Sequence, residues 1–361
     1  MNVVVARARP GHESRTGYKE INLSKRHNDQ WSRREFLSTA ALAGTGVLLG
    51  LQSNSLAAEA PPETKTIKLV QGPALCMAPQ YLAEELLRGE GFTDVQYVKK
   101  DSPGIYKAIA SGEADLSMGV TLAFIMQVDA GAPILLLTGV HVGCYELFGI
   151  GRVRSVHDLK GKTVSVPGFG SGAHALLASM AAYVGLDPRK DINWVTRPFV
   201  DSMRLLAEGK IDAFMGFQPE PQELRAKKIG RVIVNTITDR PWSQYFCCSI
   251  AGNREFVRKH PAATKRAVRA ILKAKNICAS EPDRVARLLT DRGYATQKDY
   301  ALQTMKEIPY GKWQDFDTED TVRFYSLRLH EAGLIKSSPQ KIISEGTDWR
   351  ILRELMKELK A

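Results

Sequence analysis

The stretches GEADLSMG (112–119) and GKIDAFMG (209–216) repeat glycine, aspartate, methionine and glycine in register. Each closes a helical pattern opened by turn-forming polar residues, Asp101-Ser102-Pro103 in one case and Asp201-Ser202 in the other. The leading glycine suits the position just past a helix C-terminus, where a left-handed backbone is needed. The aspartate then leads a short apolar run that reads as a buried strand. Eight residues can agree by chance, but the matching helix–glycine–strand contexts favour one α/β unit used twice.

The surrounding periodicity agrees. Around the first copy it predicts strand 66–70, helix 79–88, strand 94–98, helix 104–111, strand 115–118, helix 121–130 and strand 134–138. Around the second it predicts strand 163–166, helix 173–184, strand 192–195, helix 200–208 and strands 212–215 and 231–234. Alternation of this kind implies an α/β protein of two lobes, each a mainly parallel sheet flanked by helices. From Asn253 onward the pattern is almost wholly helical, broken at Pro261, Glu281-Pro282, Thr296, Asp317 and Asp348. That tail needs a sheet to cover, and we expect it on the first lobe. The expected division is 65–147 with 251–361 as lobe 1 and 148–250 as lobe 2, with crossings near 146–151 and 245–250.

The beginning of the chain reads differently. Ser32-Arg33-Arg34-Glu35-Phe36-Leu37 precedes a small-residue apolar stretch, Ser38 to Leu51, and then QSNSLAAEA. Paired arginines, a modest apolar region and an alanine-rich cleavage site predict a twin-arginine export signal over 1–57, removed in the periplasm. The stretch is too short for a comfortable membrane span, and no cysteine follows it closely enough for a lipid anchor. Residues 1–57 carry eight Lys/Arg against four Asp/Glu, so their removal takes the net charge from +11 to +7. The remaining basic residues are interleaved with acids, as over 254–275, which marks a solvated face and not a nucleic-acid footprint.

Beyond these patterns, GPALCMAPQYLAEELL (72–87), AIASGEADLSMG, AGAPILLLTG, VHDLKGKTVSVPGFGSGAHALL (156–177), LLAEGKIDAFMG with FQPEPQEL, and NREFVRKHP recur in one order and spacing. On them the chain resembles the periplasmic solute-binding proteins of the sulfonate, nitrate, taurine and thiamine-pyrimidine-precursor group, the receptors of ABC importers. The resemblance covers 65–361. It implies a two-lobed type II periplasmic-binding fold that closes on a small organic ligand, sulfonate- or carboxylate-like, held in the interlobe cleft. It further implies delivery to a membrane permease, export through the twin-arginine translocase, a monomer, no cofactor and no catalysis. A pyrimidine synthase that consumes its own histidine shares the resemblance, but its cysteine-rich run is absent here.

The turn Gly168-Phe169-Gly170-Ser171-Gly172 leads from a β-branched strand into a helix and lacks the strict dinucleotide pattern. Glycines immediately flank Ser171, so it is no nucleophile elbow either. What remains is a helix start whose free N–H groups suit an anion or a carbonyl oxygen, with Ser171 as cap and His174 as a further donor. Plain close packing of the glycines is the alternative. The expected cleft residues are Cys76, Met77, Asp101, Thr121, His141, Tyr145, Phe169, Gly170, Ser171, Gly172, His174, Phe199, Asp201, Gln218, Glu220 and Tyr245. Asp101 and Asp201 also read as helix caps. Gln218 stands where relatives often carry an acid.

Five cysteines, 76, 144, 247, 248 and 278, follow the leader. Three or four of them gather near the hinge in this topology, close to Met77 and His141. Packing, a disulfide such as 76–144, and a soft-metal site all remain open, and no residue is assigned to a metal. Adjacent Cys247 and Cys248 on a strand should point to opposite faces.

Overall fold

In the computed structural model, residues 59–72, 74–101 and 104–359 are described; the expected export signal over 1–57 lies outside them. Ten strands form two five-stranded sheets. The first sheet has the order β2-β1-β3-β10-β4, built from β1 (Thr66–Gln71), β2 (Asp94–Lys99), β3 (Leu116–Val120), β4 (Ile134–Val142) and β10 (Phe246–Asn253). The second has the order β7-β6-β8-β5-β9, built from β5 (Tyr145–Gly149), β6 (Lys162–Val166), β7 (Ile192–Thr196), β8 (Ala213–Phe217) and β9 (Arg231–Asn235). The two orders are the same pattern written twice. In each sheet four strands run one way, and the fifth, β10 or β5, is antiparallel to both neighbours.

The echo in the sequence is therefore an echo in structure. Asp115 accepts a hydrogen bond from the Lys68 N–H of β1 at 2.7 Å, and Asp212 accepts one from the Thr163 N–H of β6 at 2.8 Å. Gly112 and Gly209 both hold positive φ, 75° and 68°, at the ends of their helices.

The helices are α1 (Ala78–Leu82), α2 (Glu84–Gly89), α3 (Gly104–Ser111), α4 (Thr121–Asp129), α5 (Gly172–Tyr183), α6 (Phe199–Ala207) and α7 (Glu220–Ala226). The tail contributes α8 (Arg254–Lys259), α9 (Pro261–Ser280), α10 (Pro282–Asp291), α11 (Lys298–Glu307), α12 (Thr318–Glu331), α13 (Pro339–Gly346) and α14 (Arg350–Glu358). As expected, most of the tail covers lobe 1: α9 packs on α1 and α2, and α12 and α13 on α4. Asp317 caps α12 by accepting the Asp320 N–H at 2.7 Å. Helix α5 is buried at every position from Gly172 to Ala181. A helix apolar on all sides must be covered on all sides, and α5 lies between its own sheet and the lobe 1 helices α4 and α12.

Four expectations change: the lobe boundaries, the crossings, one helix and one helix not foreseen. The boundary at 147/148 falls inside β5, which belongs wholly to the second sheet, and that at 250/251 falls inside β10, which belongs to the first. The crossings are instead Gly143–Cys144 and the segment from Thr236 to Tyr245. They are tied where the Thr236 hydroxyl accepts the N–H groups of Cys144 and Tyr145 at 3.1 and 3.0 Å. Gly143, at φ 65°, passes so close to Ile237 that an added Cβ would lie 2.8 Å from its Cα. The predicted helix 79–88 is divided at Ala83, and α7 was not predicted.

Candidate functional site

A cavity of about 250 Å³ lies between the lobes. It opens where the strand C-termini and helix N-termini of both sheets meet, the crevice that open α/β sheets leave for ligands. Each lobe supplies its wall from the same topological places. After β1 come Cys76 and Met77; after β6 come Ser171 and Gly172. Ahead of α3 stands Asp101, and ahead of α6 stands Pro198. The end of β3 gives Val120, the end of β8 Phe217 and Gln218. Ile105, Tyr106, Phe199, Glu220, Tyr145 of β5 and Cys248 of β10 complete most of the remaining wall.

Helix α5 starts at this wall. Ser171 is its N-cap, accepting the His174 N–H at 3.2 Å and donating its own hydroxyl to the Gly168 carbonyl at 2.7 Å. Gly172 and Ala173 line the cavity, and at the first helical positions their N–H groups have no intrahelical acceptor. The glycines of the turn divide their roles. Gly170 takes φ 76°. Gly172 permits close approach: a Cβ there would meet the Tyr145 hydroxyl at 2.7 Å and both Val120 methyls at 2.9 Å.

Opposite polar demands come from α7. The Oε1 of Gln218 and the Oε2 of Glu220 are enclosed and have no hydrogen-bond partner. Burial pushes the Glu220 carboxyl up to about 7. No lysine or arginine is among the described residues of the wall. On the outer side of α7, Arg225 pairs with Glu146 of β5 and, at 2.6 Å, with Glu307 of α11 in lobe 1, which clasps the lobes together.

Nine of the sixteen expected residues line the cavity: Cys76, Met77, Asp101, Tyr145, Ser171, Gly172, Phe199, Gln218 and Glu220. Seven do not. The Thr121 hydroxyl is bonded to Phe246 and Cys247 carbonyls and to Ser249, and so anchors β10. The His174 ring sits between Phe169 and Trp194, and its Nδ1 accepts the Gly170 N–H at 3.3 Å. Burial lowers it to about 4, so the ring is neutral, and it does not line the cavity. Phe169 is 66% exposed, and Gly170 shapes the turn behind the wall. Asp201 faces solvent beside Arg204, inside α6 and not at its cap. Tyr245 stacks on Phe324 at 3.8 Å.

His141 belongs to another group. It is buried with Cys76, Cys144 and Cys248 at the hinge. All five cysteines are free thiols. The strand is irregular here, with register shifts on both sides of Cys248, whose sulfur lies 3.6 Å from that of Cys144. The contact with Cys144 is the largest influence holding the Cys248 thiol below its usual range. Burial opposes charge on His141, but the Cys248 thiolate outweighs it and raises the imidazole to about 10.

Sequence reasoning missed Tyr106, Ile105 and Phe217, which look like ordinary core positions. The echo held the signal: aligned on Lys68 and Thr163, it points from one lobe's wall to the other's.

Fold and cleft together define a two-lobed binding-protein architecture. Residues 78–285 match the NMT1/THI5-like family model, and the chain belongs to that family. The bicarbonate-binding protein CmpA of Synechococcus elongatus is 27% identical over 125 residues, which is 34% of this chain and 27% of that protein. The chain thus matches only about a quarter of that relative's length. Among solved structures, the periplasmic nitrate-binding protein NrtA of Synechocystis has a TM-score of 0.69 at 17% identity, covering 83% of this chain and 90% of its own. The periplasmic aliphatic sulphonate-binding protein SsuA of Escherichia coli has a TM-score of 0.62 at 17% identity, covering 77% and 91%. Among the described residues, no helix is long and apolar enough to cross a membrane.

Proposed function

We propose that this protein is the solute receptor of an ABC-type importer, exported by its N-terminal leader to the periplasm and acting there as a monomer. It closes its lobes on a small ligand and hands it to a membrane permease. The observation that carries this reading is the cavity walled equally by both lobes, since contacts made only when the lobes meet are what convert binding into closure. The named relatives bind nitrate, bicarbonate and sulphonates, which supports a receptor role.

The wall favours a different ligand charge from the sulfonate or carboxylate that the resemblance implies. An anion needs cationic or concentrated N–H donors, and the described wall, without a lysine or arginine, sets uncharged donors such as the α5 N-terminus against the carboxyls of Asp101 and Glu220. The unpartnered acceptors on Gln218 and Glu220 call for donors on the ligand, because a buried acceptor left unpaired costs about 1–3 kcal/mol. Phe199, Phe217 and Tyr106 suit a flat ring. We therefore infer a planar, uncharged or cationic solute bearing N–H groups near α7 and a carbonyl-like oxygen at the α5 start. A thermal-shift screen of amino- and amide-substituted heteroaromatics against sulfonates, carboxylates, nitrate and bicarbonate tests it. A binder at one hundred times its Kd should add about 2.7 kcal/mol of stability. Stabilisation by sulfonates alone would sink the ligand class; a scattering profile unchanged at saturation would sink the clamp.

A further inference from the structure

Four side chains from four separate segments converge behind the lobe 1 wall: Cys76 from the turn after β1, His141 from β4, Cys144 from the first crossing and Cys248 from β10. Each is buried, and one ligand atom from each lies within 4.8 Å of all the others. The Cys248 sulfur is 3.8 Å from that of Cys76 and 3.6 Å from that of Cys144, and the Cys144 sulfur is 3.9 Å from His141 Nδ1. A tetrahedral ion with metal–sulfur bonds of about 2.3 Å sets its sulfurs about 3.8 Å apart, so two sulfur–sulfur edges of a coordination polyhedron are already in place. Thiols packed as small hydrophobes would show similar sulfur contacts, but they would not explain the imidazole. His141 Nδ1 lies 3.2 Å from the Val142 carbonyl, while Nε2 is enclosed with no partner. A ring nitrogen tied to a backbone carbonyl with the other left bare is how proteins orient a metal-binding histidine.

We propose that Cys76, His141, Cys144 and Cys248 hold one soft d10 cation, Zn(II) or Cu(I), in a closed four-coordinate site. Loading releases three protons, two from thiols and one from the imidazolium that the Cys248 thiolate supports. Three thiolates and a neutral imidazole then leave one net negative charge around Zn(II) and two around Cu(I), and burial favours the smaller charge. Cys76 and Cys248 also face the ligand cavity and Cys144 sits on a crossing, so the ion braces the cleft floor and the hinge at once. The site is independent of which solute the cleft takes.

The test uses the full chain, reduced, stripped with chelator and then titrated with Zn(II), Cu(I) and Co(II). We expect one equivalent of Zn(II) or Cu(I) to be retained through gel filtration. Co(II) should give sulfur-to-cobalt charge-transfer bands in the near ultraviolet with intense tetrahedral bands in the visible. Cys248→Ser should lose the stoichiometric ion, whereas Cys278→Ser, remote on α9, should keep it. Should Cys248→Ser fail to fold, the wild-type cobalt spectrum decides alone. Absence of thiolate charge-transfer bands, full retention by Cys248→Ser, or a disulfide among these cysteines that survives in metal-replete protein would each overturn the site.

Discussion

The two lobes place the same backbone positions at the cleft and fill them with opposite chemistry. Where lobe 1 has Cys76 and Met77 after its first strand, lobe 2 has Ser171 and Gly172; where lobe 1 ends β3 in Val120, lobe 2 continues β8 into Phe217, Gln218 and Glu220. Lobe 1 therefore presents mainly sulfur and hydrocarbon, with Asp101 and the Tyr106 ring, and lobe 2 adds capped N–H groups, an amide and a carboxyl to the rings of Phe199 and Phe217. The scaffold decides where contact happens, and the side chains decide that one lobe packs while the other discriminates. On the receptor reading proposed above, such an asymmetric wall on a symmetric frame would let the ligand's polar groups meet the lobe 2 face while lobe 1 covers them.

Mutations can break this division, and the largest effect should come from Gly172→Val. The added side chain would strike Val120 of lobe 1 and the Tyr145 hydroxyl, so the lobes could not meet across a bound solute. Calorimetry should show affinity falling at least about a hundredfold, or about 2.7 kcal/mol, with scattering fixed at the open dimensions. Gly168→Ala, which has nothing within 4 Å of its added Cβ, should bind normally. Wild-type affinity in Gly172→Val would mean that the two walls do not have to touch.

Glu220 sharpens the comparison through pH. Its folded carboxyl titrates near 7 against an ordinary 4.5, because burial penalises the charge. Between these values the folded chain holds more protons than the unfolded one, so stability is fullest below pH 4.5 and falls as pH rises through 7. Glu220→Gln should remove that slope, leaving the ligand-free variant more stable than wild type at pH 8 by up to about 3 kcal/mol and little different at pH 4.5. Chemical denaturation at the two pH values checks this; parallel curves would show that Glu220 is well solvated or already paired.

The frame itself can be tested by a matched pair. Asp115→Ala and Asp212→Ala each strip a strand N–H of its acceptor, and each should cost about 1–3 kcal/mol. If the lobes are equivalent beneath their walls, the two losses should agree closely by denaturant midpoint. A loss in one lobe alone would confine the echo to the sequence. The smallest effect belongs to Glu307→Gln. Its pair with Arg225 joins the lobes but is partly exposed, so its removal should weaken binding by less than about 1 kcal/mol, and less still at high salt.

Much of this frame was legible in the chain. The strand–helix alternation placed β1, α3, β3 and α4 to within a residue or two, because each unit buries one face against its neighbours in sequence. The strands that decide the domain boundaries were misassigned because their partners are distant. Tyr145–Gly149 sits between turn-forming glycines and reads as linker until β8 and β9 flank it. At the site, polar residues at strand ends, such as Gln218 and Glu220, were legible. Thr121 and His174 were misassigned because a pattern cannot tell a buried polar group serving its own backbone from one serving a ligand. Tyr106 and Phe217 were invisible for the converse reason, since an aromatic on a cavity wall and one in a core obey the same periodicity.

The exchange of β5 and β10 also sets an order of assembly. The second sheet draws its five strands from one unbroken stretch, Tyr145–Asn235, and is complete as soon as that stretch exists. The first sheet is not, because β10 wedges between β3 and β4, with Cys248 opposite Val120 and Ile250 opposite Thr138. Until Asn253 has left the ribosome, β3 and β4 border a vacant slot, and closing it requires a loop of more than a hundred residues, a slow and non-local step. Lobe 2 matures early as an inserted module, and lobe 1 waits for its keystone. Because that strand carries Cys248, the cleft floor is the last part of the two sheets to be built, and a chain stopped short of Phe246 has one finished lobe and an incomplete first sheet.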